Sequence, residues 1–236
     1  MTYSLVYQES TGKQRTIAHI APNASGTVSK QKLRLQPPGL TLVAMVPHEQ
    51  RLPLLGAIEA LCKVGRVFRP IDQLHFTVLG LFDERKPAPS GLSHNDLAAV
   101  ISDFFRLRQL DALAVEIDVI RPGLFVGNPG KSDGTVVAMA SPQSASKLLS
   151  VSKELADHLS AVRPIQFPQS VQRPMAGVWC TLGYFDEPDF DVDADLHAVL
   201  SPYAKVSHKL SVQTLSLTEF TFKTLADCLT RGLIAI

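Results

Sequence analysis

Apolar residues run unbroken through LTLVAMVP (40–47), a stretch of strand length that suits a buried strand. The period then changes. In HEQRLPLLGAIEALCK (48–63), Leu54, Ile58 and Leu61 recur at helical spacing and leave a polar face opposite. QLHFTVLGLF (73–82) returns to strand-like text. SHNDLAAVISDFF (93–105) opens with a capping-box pair, Ser93 and Asp96, ahead of a stripe of Leu97, Ile101 and Phe104. ALAVEIDVI (112–120) alternates as a strand does.

VGNPGKSDG (126–134) reads as turn chemistry; it lacks the residue order of a phosphate-binding loop. After it the order of elements begins again. TVVAMA (135–140) nearly repeats TLVAMV (41–46). A helix over 144–160 carries Leu148, Val151, Leu155 and Leu159 in one stripe. The strand VWCTLGYF (178–185), a helix around ADLHAVLSPY (194–203) and the strand KLSVQTLSLTEF (209–220) follow. The second copy is longer because of AVRPIQFPQSVQRPMAG (161–177), which reads as a loop. Two copies imply two related lobes rather than a solenoid. The expected fold is α+β: two similar lobes, each an antiparallel sheet flanked by helices, with a central cleft. The expected organisation is an N-terminal extension over 1–38, polar and closed by QPPG, then one bilobal domain over 39–236. Its lobes would span about 40–125 and 134–236, with strands open to exchange between them.

Composition narrows the function classes. The 236 residues are 45% hydrophobic and 19% charged, as in ordinary globular proteins. A net charge of +1 argues against sequence-independent binding of duplex DNA. Cys62, Cys180 and Cys228 are odd in number and widely spaced, which reads as reduced, mostly buried thiols of a cytosolic protein, and no Cys/His cluster points to a metal. No apolar run approaches the roughly 20 residues that cross a bilayer, and no leader pattern opens the chain. A cytoplasmic monomer without membrane attachment is expected.

The candidate chemistry lies in the two repeated strands. Alternate strand side chains face the same way, so His75 and Thr77 share a face, as do Trp179 and Thr181. A pseudo-twofold between the copies would bring both pairs to one cleft. HFTV (75–78) and, apart from its first residue, WCTL (179–182) resemble the paired H-x-[T/S]-x motifs of the 2H phosphoesterases. That superfamily includes RNA 2′,3′-cyclic phosphodiesterases and RNA-ligase-like proteins, and the resemblance spans roughly 40–222. It implies that His75 is an acid/base and that Thr77 and Thr181 hold a phosphate. It also implies that neither metal nor cofactor is needed and that the ligand is a nucleotide or RNA with a cyclic phosphate end. Imidazole, with a pKa near 6.5, serves as either acid or base at neutral pH, and threonine hydroxyls donate to phosphate oxygens.

Trp179 departs from the pattern. Indole donates a hydrogen bond but cannot relay a proton. Two readings stay open: a platform on which a base stacks, or an aromatic that fills the cleft and makes the second half structural. In the first, the protein is an enzyme of reduced activity or a binding module; in the second, an interaction scaffold. Arg163 and Arg173 flank the long second-half loop and are candidates for substrate phosphate. His48, at the start of the first helix, is a weaker substitute for the missing histidine. His94, His158 and His197 read as solvated helix residues, and His208 begins a strand one element too late.

Overall fold

The computed structural model describes residues 3–8, 14–20, 39–71, 73–83, 88–125, 128–162, 178–185, 190–220 and 229–236. Two strands, β1 (Tyr3–Gln8) and β2 (Gln14–Ile20), form a separate antiparallel pair. The repeat begins with β3 (Gly39–Met45), α1 (Leu52–Leu61), the short β4 (Phe68–Pro70), β5 (His75–Asp83), α2 (His94–Leu107) and β6 (Leu113–Phe125). It continues with β7 (Asn128–Ala140), α3 (Pro142–Ala161), β8 (Trp179–Phe185), β9 (Phe190–Asp191), α4 (Ala194–Leu200), β10 (His208–Val212), β11 (Thr214–Phe220) and β12 (Leu229–Ala235). The architecture is α+β, an antiparallel sheet with four helices among the described residues.

The sheet runs β10-β6-β7-β8-β5-β3-β11-β12, with β4 added to β8 and β9 to β7. Each half of the chain lends a strand to the other. β6, from the first half, pairs with β7, and β11, from the second, pairs with β3. The segment 209–220, expected as one strand, is two strands parted at Gln213. β10 and β11 occupy the first and seventh places in the order although a single residue joins them, so the sheet must curl. Gln50 helps hold this corner: its Oε1 accepts from Ser211 N at 2.8 Å, and its carbonyl accepts from His208 Nε2 at 2.9 Å.

One face of the sheet is the core. Phe76, Val78, Cys180 and Leu182 are buried there, in one apolar cluster with Leu54 and Leu61 of α1, Ile101 of α2, Leu155 of α3 and Leu196 of α4. Each of these aliphatic or phenyl side chains contributes about 1.5–3 kcal/mol when fully removed from water, so the helices hold this face closed. The helices start where the sequence marks them. Ser93 Oγ accepts from Asp96 N at 3.1 Å and the Asp96 carboxylate accepts in return, a complete capping box. Asp193 Oδ1 caps α4 by accepting from Leu196 N, and Arg66 holds its other oxygen at 2.9 Å. The Leu196 amide first, and the Arg66 guanidinium second, keep the Asp193 carboxyl below its usual range.

Three local expectations are corrected. Most of the GNPGKSDG stretch is not a turn but the outer part of β7, where Lys131 pairs with Asp191 and Ser132 with Phe190. Pro129, Gly130 and Gly134 sit in an irregular hairpin arm with β6, which breaks register twice near Leu124. Cys62, expected among buried thiols, is exposed at the end of α1, while Cys180 is buried. Cys228 lies outside the described residues. Finally, His158 is not freely solvated: its ring packs 5.5 Å from that of Phe104. No helix among the described residues is long and apolar enough to cross a membrane.

Candidate functional site

Two strand pairs present the candidate residues, and their registers match residue for residue. Met45 pairs with His75, Ala44 with Phe76 and Val43 with Thr77. In the other half Met139 pairs with Trp179, Ala138 with Cys180 and Val137 with Thr181. Both ladders then slip by one residue at the same place, so that Leu42 meets Leu79 and Val136 meets Gly183. Val78 and Leu182 are thus equivalent bulges. The flanking bonds match too: Val46 N donates to Leu74 O and Ala140 N to Val178 O, each at 2.9 Å. His75 and Trp179 therefore stand at one backbone position in two copies, as do Thr77 and Thr181.

The copies meet at one pair, Phe76 opposite Cys180. In an antiparallel ladder the neighbours of such a pair oppose each other. His75 is thus across from Thr181, and Thr77 across from Trp179, on the face opposite Phe76 and Cys180. Each half brings its threonine beside the other half's first residue. Beyond this pair β4 takes the edge of β8, with Pro70 opposite Gly183 and Ile71 N bonded to Leu182 O at 2.9 Å. A Cβ on Gly183 would stand 2.4 Å from Arg69 O and 2.4 Å from Phe68 Cζ, so this crossing needs glycine.

His75 is buried and oriented. It is 8% exposed, and its Nδ1 lies 2.6 Å from the carbonyl of Gln73. A carbonyl only accepts, so Nδ1 carries the proton, and in the neutral ring Nε2 keeps its lone pair for chemistry. Burial lowers the pKa below 6.5, and the Gln73 carbonyl opposes that only in part. At neutral pH the ring is therefore uncharged and ready to accept a proton. Thr77 and Thr181 are half-buried, within reach of solvent.

Trp179 has the opposite environment, with 39% of its surface exposed. It does not fill a closed core. Behind it, burial pushes the Cys180 thiol up to about 12, against smaller downward pulls from the His75 amide and the Arg51 guanidinium. That thiol is inert as a nucleophile at neutral pH.

Other histidines are engaged or remote in the fold. His208 is bonded to the Gln50 carbonyl, and His94 lies 3.6 Å from Glu219. His48 is exposed in the short 3-10 turn after β3. Arg163 and Arg173 lie outside the described residues. Among the described residues no cluster of three His, Cys, Asp or Glu side chains is placed to hold a metal ion. Two surface hollows, of about 240 and 280 Å³, lie elsewhere: one between α2 and α3 beside Arg108 and His158, the other beside Gln50 and Ser211. The sequence reading missed Arg121, which the register places in a row with Val137 and Thr181. No periodicity reveals it, because a bulge at Asp118 resets the alternation of β6.

No protein-family model matches the chain, and no curated protein matches its sequence. Solved structures match its fold. The apo structure of E. coli LigT is 17% identical, covers 84% of this chain and 98% of its own, and superposes with a TM-score of 0.50. E. coli LigT complexed with ATP gives 16% identity, 86% and 98% coverage and a TM-score of 0.51. The same protein complexed with NADP+ gives 17%, 85%, 98% and 0.51. The chain has the α+β fold of the LigT-like 2H phosphoesterases.

Proposed function

We propose that this protein is a 2H phosphoesterase-like protein. It binds 2′,3′-cyclic phosphate ends of RNA or nucleotides and opens them slowly, with His75 as its one proton-transfer residue. The observation that carries this reading is His75 itself, with Nδ1 committed to a carbonyl, Nε2 left for chemistry and Thr181 across the strand boundary. Opening the ring adds water across one P–O bond. His75 takes the proton of the attacking water, and the ring oxygen that leaves phosphorus takes a proton from solvent. Thr77 and Thr181 hold the phosphate between the halves.

The exposed indole of Trp179 supports a stacking platform and counts against the interaction-scaffold reading, which needs that ring to fill the cleft. The likeness to a fold that also occurs in complexes with ATP and NADP+ agrees with a nucleotide ligand. In this reading residues 39–236 form one bilobal domain whose lobes exchange β6 and β11, and 1–38 are an extension. Neither metal nor cofactor takes part, and the protein works as a monomer in the cytoplasm. A purely binding role is the second reading, favoured by Trp179 in place of a second acid/base.

Purified protein incubated with a nucleoside 2′,3′-cyclic phosphate decides between them. Slow, chelator-insensitive release of a phosphomonoester, lost in His75→Ala, supports the enzyme. Binding without turnover in either protein supports the module. The absence of both binding and turnover overturns the reading of the site.

A further inference from the structure

The backbone puts one more charged side chain on the face of His75 and Trp179. Along β6, Leu113, Val115 and Ile117 are buried in the core, and strict alternation would send positions 119 and 121 the same way. The bulge at Asp118 prevents it. Ile117 pairs with Ala140 but Val119 with Met139, so Ile120 takes the core place and Arg121 turns to the site face. There Arg121 is opposite Val137, which is opposite Thr181. Its Nη2 lies 3.9 Å from Met139 Sδ, and Met139 is the cross-strand neighbour of Trp179. No carboxylate pairs with Arg121 among the described residues, and it is exposed. The matching place in the first half, opposite Val43, is held by the buried Ser216.

We propose that Arg121 binds a second phosphate of the ligand: the 5′-phosphate of the terminal nucleoside, either free or in the diester to the preceding nucleotide. This rests on the function proposed above. Side-chain placement separates it from the first phosphate. The threonines hold theirs at the boundary of β5 and β8, whereas Arg121 stands on β6, two strand spacings or ~10 Å of backbone from Thr181, and its guanidinium lies against Met139, in the row of Trp179 rather than that of Thr181. Between the two anion positions lie the apolar Val137 and Met139 and the exposed indole, a floor suited to a nucleoside. A guanidinium on such a floor, with no carboxylate partner among the described residues, matches a phosphate in charge and in fork geometry.

Calorimetric titration in a His75→Ala background, which slows turnover far below the parent rate, tests this with three ligands. They are a nucleoside 2′,3′-cyclic phosphate, the same compound with a 5′-phosphate, and a dinucleotide ending in that cyclic phosphate. Each is titrated against the parent, Arg121→Ala, Arg121→Lys and Thr181→Val, whose melting temperatures report folding. The expected result is about tenfold or tighter binding of the second and third ligands, by the usual strength of a charged hydrogen bond. Arg121→Ala removes that gain and leaves the first ligand unchanged; Arg121→Lys keeps part of it; Thr181→Val weakens all three. A gain for the dinucleotide alone assigns Arg121 to the diester. Arg121→Ala weakening all three alike, or none, overturns the proposal while the site stands. If the first ligand does not bind the parent, the reading of the site falls and this proposal with it.

Discussion

His75 and Trp179 occupy one backbone position in two copies of a strand pair, yet one is 8% exposed and the other 39%. The first copy closes over its residue and fixes it: a carbonyl at 2.6 Å sets the tautomer, and burial keeps the ring neutral. The second copy leaves its residue open, beside an arginine that the first copy replaces with a buried serine. In the function proposed above, this duplicated frame carries two specialisations, proton transfer in one half and ligand binding in the other. Register equivalence fixes where a side chain stands; what the residue contributes there depends on its titration, its burial and its neighbours.

The comparison breaks first at His75. His75→Ala is expected to lower turnover of a cyclic phosphate by about 10²–10⁴-fold, the usual contribution of a general acid or base, with little change in ligand affinity. Trp179→Ala should do the reverse, weakening binding by about 1–3 kcal/mol for a lost stacking contact while the rate at saturation holds. Equal effects of both substitutions on affinity and rate would erase the division between the halves.

The glycines sharpen it. Gly183→Ala drives a Cβ into Arg69 O and Phe68 Cζ and is expected to cost about 1–3 kcal/mol in chemical denaturation, as overpacking does. Gly80→Ala meets nothing within 4 Å and should be neutral or stabilising by up to about 0.5–1 kcal/mol. Similar losses at both sites would mean that β4 does not crowd the second copy.

A smaller effect concerns pH. The folded chain binds the His75 proton more weakly than the unfolded chain, so the unfolded state takes up protons first as pH falls. The stability that depends on neutral His75 is full above 6.5 and is lost as pH drops from there toward the lowered folded value. Denaturation midpoints across roughly pH 5 to 8, the range in which histidine titrates, should show this slope in the parent and a flatter one in His75→Gln. An identical slope in both would deny that burial keeps the ring neutral.

Much of this was legible in the chain, for physical reasons. Alternation in HFTV and WCTL is preserved by the strands, so the shared faces of His75 with Thr77 and Trp179 with Thr181 followed from the letters. Ser93 and Asp96 advertise their cap because both partners are local in sequence. What alternation could not show is where it fails. The letters TVLG and TLG invite Gly80 to be matched with Gly183, but the ladders match Gly183 with Leu79, since Gly183 pairs with Val136 as Leu79 pairs with Leu42. KLSVQTLSLTEF favours strand throughout, so only the curl of the sheet reveals the break at Gln213. Arg121 was hidden for the same reason, since its face depends on one unpaired residue, Asp118.

The most direct test of two equivalent frames with different side chains is the pH–rate profile of cyclic phosphate opening by Trp179→His beside the parent. The parent should be slow, with a single acidic limb below 6.5 set by His75. Trp179→His should turn over faster, by up to about 10²-fold or more, and gain a second limb from the new imidazole, giving a bell. A variant that stays as slow as the parent, with an unchanged profile, would contradict the claim that position 179 is a proton-transfer position vacated by tryptophan.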